Sequence, residues 1–144
     1  MKKFLGICFV FFGLFCLTGC GKNTLTCSKN NDYNDEIKTY QTTKVSFKKN
    51  HVNKLSINMN VKLNEEYLQF KSSLLESVIS EFSGLPENAI KYSSSDTNDG
   101  FDFKVKIKYS SLNDEEKKNN AVIDYEGSYD DIRGHLEDVG YTCK

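Results

Sequence analysis

The stretch IKTYQTTKVSFKKNHVNKLSINMNVKL, residues 37–63, decides the fold. Apolar and polar side chains alternate through each half of it with a period of two, which is typical of a β-strand with one buried face. Lys49-Asn50-His51 separates the two halves and predicts a turn. Two alternating runs joined by a few polar residues predict an antiparallel β-hairpin.

The alternation also predicts which side chains each face of the hairpin carries. One face holds Ile37, Val45, Phe47, Leu55, Ile57, Met59, Val61 and Leu63. The opposite face holds Lys38, Tyr40, Lys44, Lys48, Lys54, Ser56, Asn58, Asn60 and Lys62. We therefore expect the first face to pack against the rest of the domain and the second face to meet solvent.

A helical period follows the hairpin. Asn64 is a favourable N-cap, and the two glutamates after it suit the positive end of a helix dipole. Apolar side chains then recur every three or four residues from Tyr67 to Phe82, which predicts an amphipathic helix. Gly84 and Pro86 predict the end of that helix.

A second hairpin is predicted after the helix. Ile90–Ser94 is its first strand, and Asp99-Gly100 is a dipeptide typical of a type I′ turn. Residues 101–109 then alternate apolar and polar side chains without a break and predict a long, half-buried strand.

Shorter signals lie towards the two ends of the domain. Leu25–Ser28 predicts a brief strand, and the polar run Asn30–Glu36 predicts a turn. Asp114–Asn119 predicts a helical turn on the surface. Ser128 with Asp131 approximates a capping box and predicts a short helix after it.

The chain then closes with a last predicted strand. Gly140 suits the C′ position of the short helix, and Tyr141-Thr142-Cys143 follows as a strand or extended tail. The predicted order is β-β-β-α-β-β-α-β. Tight turns between strands predict an antiparallel sheet, and one polar face per strand predicts two helices packed on the other face. We expect a single α+β domain over residues 25–144.

The N-terminus carries a targeting signal. Lys2 and Lys3 precede an apolar run from Phe4 to Leu17, and small residues follow it, as in a secretory signal peptide. The segment Leu17-Thr18-Gly19-Cys20 resembles the lipobox of bacterial lipoproteins. That resemblance implies cleavage between Gly19 and Cys20 and acylation of the Cys20 thiol. Residues 1–19 would be the signal peptide and residues 20–24 a lipidated N-terminus with a short tether.

Two alternatives to this anchor stay open: a cleaved signal peptide without lipid, and an uncleaved anchor. Removal of residues 1–19 takes two lysines and no acid from 19 basic and 20 acidic residues, so the mature chain carries a net charge of −3 with neutral histidines. This balance gives no reason to expect a nucleic-acid partner.

Cysteine usage predicts one disulfide bond. Cys8 and Cys16 leave with the signal peptide and Cys20 carries lipid, so Cys27 and Cys143 remain. Exported domains retain disulfides, which favours a bridge between these two residues over a pair of free or buried thiols.

The sequence gives only weak indications of a metal site. His51 and His135 have neither the spacing nor the neighbours of a zinc or di-iron site, and we interpret both as bystanders. Ser95–Gly100 resembles the start of a calcium loop, but Lys106 falls where a bidentate Glu is required. A plain hairpin turn is the better interpretation, and we predict no metal and no cofactor.

Three further groups of side chains invite a functional interpretation. Lys104, Lys106 and Lys108 form either a basic strip for anionic envelope polymers or lipid headgroups, or a solvated sheet face that discourages edge pairing. The acids Asp114, Glu115, Glu116, Asp130 and Asp131 are candidates for paired catalytic carboxylates or plain surface charge. Tyr33, Tyr40 and Tyr92 are candidates for an exposed recognition surface.

Taken together, these features resemble the small YehR-like bacterial lipoproteins. The likeness rests on the lipobox, the order of hairpins and helices, the motif Leu25-Thr26-Cys27 and the closing segment Leu136–Lys144 with its Gly140-Tyr141-Thr142-Cys143. It implies a compact α+β domain of unassigned function and brings no catalytic residues. Some members lack the cysteine pair, so the bridge is not implied by the resemblance.

The sequence therefore predicts a lipoprotein on the extracytoplasmic face of the cell membrane that acts as a binding or interaction module. Its expected partners are membrane lipid, through acylated Cys20, and an envelope ligand or protein. A structural or accessory subunit of an envelope complex is the alternative. An enzyme that uses the exposed carboxylates is a third possibility and the least favoured.

Overall fold

The computed structural model describes residues 23–33, 35–118 and 125–144. The strands are β1 (Thr24–Tyr33), β2 (Ile37–Lys48), β3 (His51–Leu63), β4 (Ile90–Thr97), β5 (Gly100–Ile107) and β6 (Thr142–Cys143). The helices are α1 (Lys71–Ser80), α2 (Asp114–Lys118) and α3 (Tyr129–Asp138), with short 3-10 turns at Leu68–Phe70 and Tyr109–Ser111. The predicted lipobox Leu17-Thr18-Gly19-Cys20 lies outside the described residues.

The strands form one antiparallel six-stranded sheet in the order β4-β5-β3-β2-β1-β6. The predicted α+β class is confirmed, and the predicted order of elements differs by one helix. The polar run expected to form a helical turn is the additional helix α2. Its acids lie in the first turn and its lysines in the last, as the helix dipole favours.

The first hairpin forms as predicted. Ile37 pairs with Leu63 and Val45 with Leu55, and the register shifts at a bulge between Ser46 and Phe47. Lys49 and Asn50, the residues between the two strands, both have positive φ, at 52° and 63°. Two successive residues with positive φ are the requirement of a type I′ turn, and asparagine tolerates that conformation well.

The prediction of a type I′ turn at Asp99-Gly100 is wrong. Thr97 pairs with Gly100, so the residues between β4 and β5 are Asn98 and Asp99, and neither has positive φ. Gly100 belongs to β5 instead. A Cβ at Gly100 would overlap the carbonyl oxygen of Val61 on β3, so close strand approach explains this glycine.

The first predicted helix is shorter than its apolar period. The Asn64 side chain accepts a hydrogen bond from Tyr67 N at 3.0 Å, but a 3-10 turn follows and α1 runs only from Lys71 to Ser80. Its apolar side chains are half-buried, whereas Phe82 beyond its end is buried. The Phe82 and Phe103 rings lie 5.9 Å apart, which seats this segment on the sheet.

The second helix, α3, matches its prediction closely. The Ser128 and Asp131 side chains form the capping box, and Ile132 and Leu136 are buried. The Tyr129 ring packs 5.3 Å from the ring of Phe47 on β2. Phe47 and Phe103 belong to the same face of the sheet, so α1 and α3 cover that face together.

The first strand is longer than predicted. It runs from Thr24 to Tyr33 and includes most of the segment expected to turn, because backbone pairing with β2 continues to Tyr33↔Ile37. The short strand β6 pairs with it, Cys27 opposite Cys143, and the structure joins these two cysteines in a disulfide bond. The pair predicted from cysteine usage therefore lies within bonding distance.

The core lies between this covered face and the helices. Its fully buried side chains come from β1, β2, β3, β5, α3 and the segment just before α3, and the largest of them are Tyr125, Phe101, Phe103, Leu25, Leu55, Ile107, Ile132 and Leu136. The predicted buried faces of β3 and β5 are confirmed by the alternating burial along both strands. Within the described residues, no helix is long and apolar enough to cross a membrane.

Candidate binding face of the sheet

One face of the sheet lies opposite α1 and α3. Four neighbouring strands, β4, β5, β3 and β2, carry polar side chains on this face. We call it the open face. Its members are Lys91, Ser93 and Ser95, then Asp102, Lys104, Lys106 and the following Lys108, then Lys54, Ser56, Asn58, Asn60 and Lys62, and lastly Lys38, Tyr40, Thr42, Lys44 and Ser46. Two of its grooves, both lined by described residues, lie at different positions along the strands.

The first groove, here the serine–asparagine groove, has a volume of about 540 Å³. It is lined by Tyr40, Thr42, Asn58, Met59, Asn60, Ser93, Ser94, Ser95, Asp102, Phe103 and Lys104. The Asn60 side-chain amide donates a hydrogen bond of 2.7 Å to Asp102 Oδ1, which fixes both groups across β3 and β5. Tyr40 is 42% exposed and contributes an aromatic ring and a hydroxyl to the lining.

The second groove, here the lysine groove, has a volume of about 680 Å³. It is lined by Lys44, Ser46, Lys54, Leu55, Ser56, Asn88, Ala89, Lys91, Lys106, Ile107 and Lys108. Among the described residues, this lining holds five lysines and no carboxylate. The register explains the cluster, because Lys44, Ser56, Lys106 and Lys91 occupy one row across four strands.

The lysine cluster of Lys44, Lys54, Lys91, Lys106 and Lys108 is solvent-exposed. In the described part of the chain, the ion pairs involve Lys62, Lys71, Lys117 and Arg133, so they lie away from the cluster. Five positive charges with no ion-pair partner among the described residues raise the local potential and favour an anionic ligand.

At the far end of the open face, charge is balanced. The Lys62 ammonium lies 3.4 Å from the Asp99 carboxylate. Its hydrogen bond holds the pKa of Asp99 below the usual range of that carboxyl. The two ends of the open face therefore differ: one is uncompensated and basic, and the other combines paired charges with hydroxyl and amide groups.

The two histidines lie apart from both grooves. His51 is exposed at the start of β3, and His135 is exposed on α3. No group of three or more His, Cys, Asp or Glu side chains in the described ranges is arranged to hold a metal ion. Ser95–Gly100 spans the end of β4, its hairpin turn and the first residue of β5, and Asp96 pairs with Lys71 at 3.4 Å.

The candidate catalytic acids lie at helix starts. Asp114, Glu115 and Glu116 form the first turn of α2, and Asp130 and Asp131 form that of α3. Asp131 accepts hydrogen bonds from the backbone N–H and the hydroxyl of Ser128, and these bonds lower the pKa of its carboxyl. Helix capping thus accounts for the position of these groups.

The candidate recognition tyrosines do not come together. Tyr40 lies on the open face, whereas Tyr92 lies on the helix side of β4 with its ring 6.1 Å from that of Phe103. Tyr33 ends β1, and its side chain is outside the described residues. Two other tyrosines are internal, and burial raises the pKa of Tyr125 and of Tyr141 above the ordinary value of a tyrosine hydroxyl.

The sequence predicts polar faces that carry four of the five lysines of the cluster, but it does not predict that these lysines come together. Lys104, Lys106 and Lys108 were visible as a strip because they lie on one strand. The alternation predicts Lys44 and Lys54 on the polar face of the first hairpin. Only the pairing of β3 with β5 brings that face beside the lysines of β5. The order of strands in a sheet is the signal that was lacking.

Comparison with known proteins yields a fold relative. The sequence matches no protein-family model and no curated protein. Among solved structures, the NMR structure of a protein from Streptococcus pneumoniae TIGR4 resembles the chain with a TM-score of 0.53 and 13% sequence identity. The alignment covers 100% of this chain and 99% of that chain. At this identity the likeness establishes a shared fold alone.

Proposed function

We propose that this protein is a lipid-anchored extracytoplasmic binding module that recognises a hydroxyl-rich envelope ligand in the serine–asparagine groove. The observation that carries the proposal is the groove itself, which lies on the sheet face opposite the helices. Its volume of about 540 Å³ falls within the range of small-molecule sites.

The lining of the groove matches that ligand class. Amides, hydroxyls and one carboxylate provide both donors and acceptors, as a polyhydroxylated ligand requires. The hydrogen bond between Asn60 and Asp102 orients these two groups before a ligand arrives. Tyr40 adds an exposed aromatic face on which a sugar ring can pack.

The anchor is the second part of the proposal. The lipobox resemblance of Leu17-Thr18-Gly19-Cys20 supports cleavage after Gly19 and acylation of Cys20. Two acyl chains are sufficient for stable anchoring, since each buried methylene contributes about 0.8 kcal/mol. The Cys27–Cys143 bond supports an oxidising location outside the cytoplasm.

A binding role accounts for the groove better than hydrolysis does. Glycoside hydrolysis requires two carboxylates about 5–10 Å apart across one bond. Among the described residues, the lining of the serine–asparagine groove contributes a single carboxylate, Asp102. A role as an accessory subunit stays a prediction from the sequence.

The experiment is an NMR titration of the purified protein with soluble oligosaccharide fragments of bacterial cell wall. Binding in the groove predicts saturable shifts at Asn58, Asn60 and Ser93. The variant Tyr40→Ala should weaken binding about tenfold, or ~1.4 kcal/mol, as for an interface anchor.

Tyr92→Ala is the matched control. This variant also removes a tyrosine side chain, but one that lies on the helix side of the sheet. Tyr92 is 54% exposed and Tyr40 is 42% exposed, so the two changes are comparable. The Tyr92→Ala variant should leave the affinity for the fragments unchanged. Equal losses in the two variants, or shifts confined to the helix side, would contradict the assignment of the groove.

A further inference from the structure

An anchor on Cys20 would lie near the end of the sheet at which β1 begins. The carbonyl oxygen of Asn23 accepts a hydrogen bond of 2.8 Å from Phe47 N, and Thr24 pairs with Ser46. Backbone hydrogen bonding to β2 therefore begins at residue 23, one residue before β1. Three residues, 21–23, follow Cys20, and a fully extended chain spans at most about 3.6 Å per residue, or about 11 Å here.

The lysine cluster lies at that same end of the open face. Ser46, the partner of Thr24, pairs in turn with Lys54 of β3. Lys54 and Lys108 occupy the position next to the Leu55↔Ile107 pair. The serine–asparagine groove lies farther away, since Asp102 is four residues from Lys106 and a strand rises about 3.3 Å per residue.

The helix side of the sheet carries two carboxylates at this end, beside the lysines of the β2–β3 turn. The Phe47–Tyr129 ring contact places the start of α3 beside the entry point, on the helix side of the sheet. Asp130 and Asp131 are exposed there in the first turn of α3. Asp130 and Asp131 offset the charges of Lys48 and Lys49 at that turn, so an anionic surface near the entry point attracts the open face, with its five lysines, more strongly than the helix side.

We propose that the lysine cluster docks on the anionic lipid headgroups of the membrane that holds Cys20. This inference rests on the anchor in the proposed function. The tether keeps the cluster close to the lipid, at a distance comparable to the Debye length of about 8 Å at physiological salt. Each lysine near an anionic surface favours contact about fivefold. Docking thereby sets the height of the serine–asparagine groove above the membrane.

The test is a lysine footprint of the purified, membrane-derived protein. The protein is reconstituted in phosphatidylcholine vesicles with and without phosphatidylglycerol, treated with an amine-reactive reagent and analysed by mass spectrometry. We expect Lys44, Lys54, Lys91, Lys106 and Lys108 to lose reactivity only with phosphatidylglycerol. At about 1 M NaCl, where the Debye length is about 3 Å, that reactivity should return.

Two variants with the same charge change make the comparison specific. Lys54→Gln with Lys106→Gln removes two charges from the cluster and should abolish the protection of Lys44, Lys91 and Lys108. Lys38→Gln with Lys62→Gln removes two charges from the far end of the same face and should leave the protection intact.

The intact mass of the same preparation separates the two proposals. If Cys20 carries lipid and the footprint is the same in both vesicles, docking is wrong and the anchor stands. If Cys20 carries no lipid, the anchor and the docking that rests on it both fail, whereas the titration tests the groove separately. Protection that a soluble phosphate polymer produces and phosphatidylglycerol does not would overturn membrane docking in favour of a polymer ligand.

Discussion

The two faces of the sheet differ although they share one backbone. Along β5, Phe101, Phe103, Val105 and Ile107 are at most 2% exposed, whereas the lysines and the aspartate between them are exposed. The inner face provides the buried apolar area that stabilises the fold. The open face contributes little to that stability, so its side chains are available for binding.

The largest predicted effect concerns the disulfide bond that joins β1 to the edge strand β6. Cys27→Ser with Cys143→Ser opens a link between residues 116 positions apart, for which chain entropy predicts a loss of roughly 4–5 kcal/mol. Denaturant unfolding of the oxidised protein and of the variant measures this loss. Equal stabilities would show that the covalent link adds nothing to the packing of the inner face.

Adjacent residues of β5 test the two faces directly. Phe103→Ala leaves a cavity beside Phe82 and should lower the free energy of unfolding by about 3–5 kcal/mol. Lys104→Ala changes the next residue of β5, whose side chain lies on the open face. It should change the free energy of unfolding by less than about 0.5 kcal/mol. Chemical denaturation provides both values. A similar cost for the two variants would contradict the division of roles between the faces.

A smaller effect tests how α3 is held over the inner face. Ser128→Ala removes the hydroxyl that accepts from Asp131 N and donates to Asp131 Oδ2. Loss of an N-cap typically costs about 1 kcal/mol. Thermal and denaturant unfolding measure this cost, and Ser111→Ala, at an exposed hydroxyl outside α3, is a suitable comparison. If the two variants are equally stable, the cap does not secure the helix.

The smallest effect is a pH dependence at the same cap. The hydrogen bonds from Ser128 lower the pKa of Asp131 in the folded protein, whereas the unfolded chain keeps the ordinary value of about 3.9. The resulting stability is present above that value and is lost as the pH falls through the lowered pKa. The difference in stability from Asp131→Asn should therefore shrink in acid. A difference that grows below pH ~4 would reverse this sign.

The sequence predicted the covered hairpins well because apolar alternation reports burial directly. Phe101 to Ile107 and Leu55 to Leu63 show that pattern, and both strands formed as expected. The C-terminal halves of β1 and β4 carry polar side chains on both faces, so no apolar alternation predicts a strand there. Backbone pairing with β2 and β5 extends those strands beyond their apolar residues.

The candidate site was less predictable than the fold. Tyr40, Asn58 and Asn60 were correctly expected on a polar face, but their groove forms only when β5 and β4 lie beside β3. The lysine cluster depends on the same strand order. Residues of distant strands meet through register, and a single sequence contains no direct record of which strands are neighbours.

The intact mass of the protein purified from native membranes tests the central claim most directly, because the anchor gives the two ends of the open face their different surroundings. The account predicts the mass of residues 20–144 plus a diacylglyceryl group, with a gain of two hydrogens on reduction. A mass of the unmodified full chain, or of a cleaved chain without lipid, would contradict the anchored orientation.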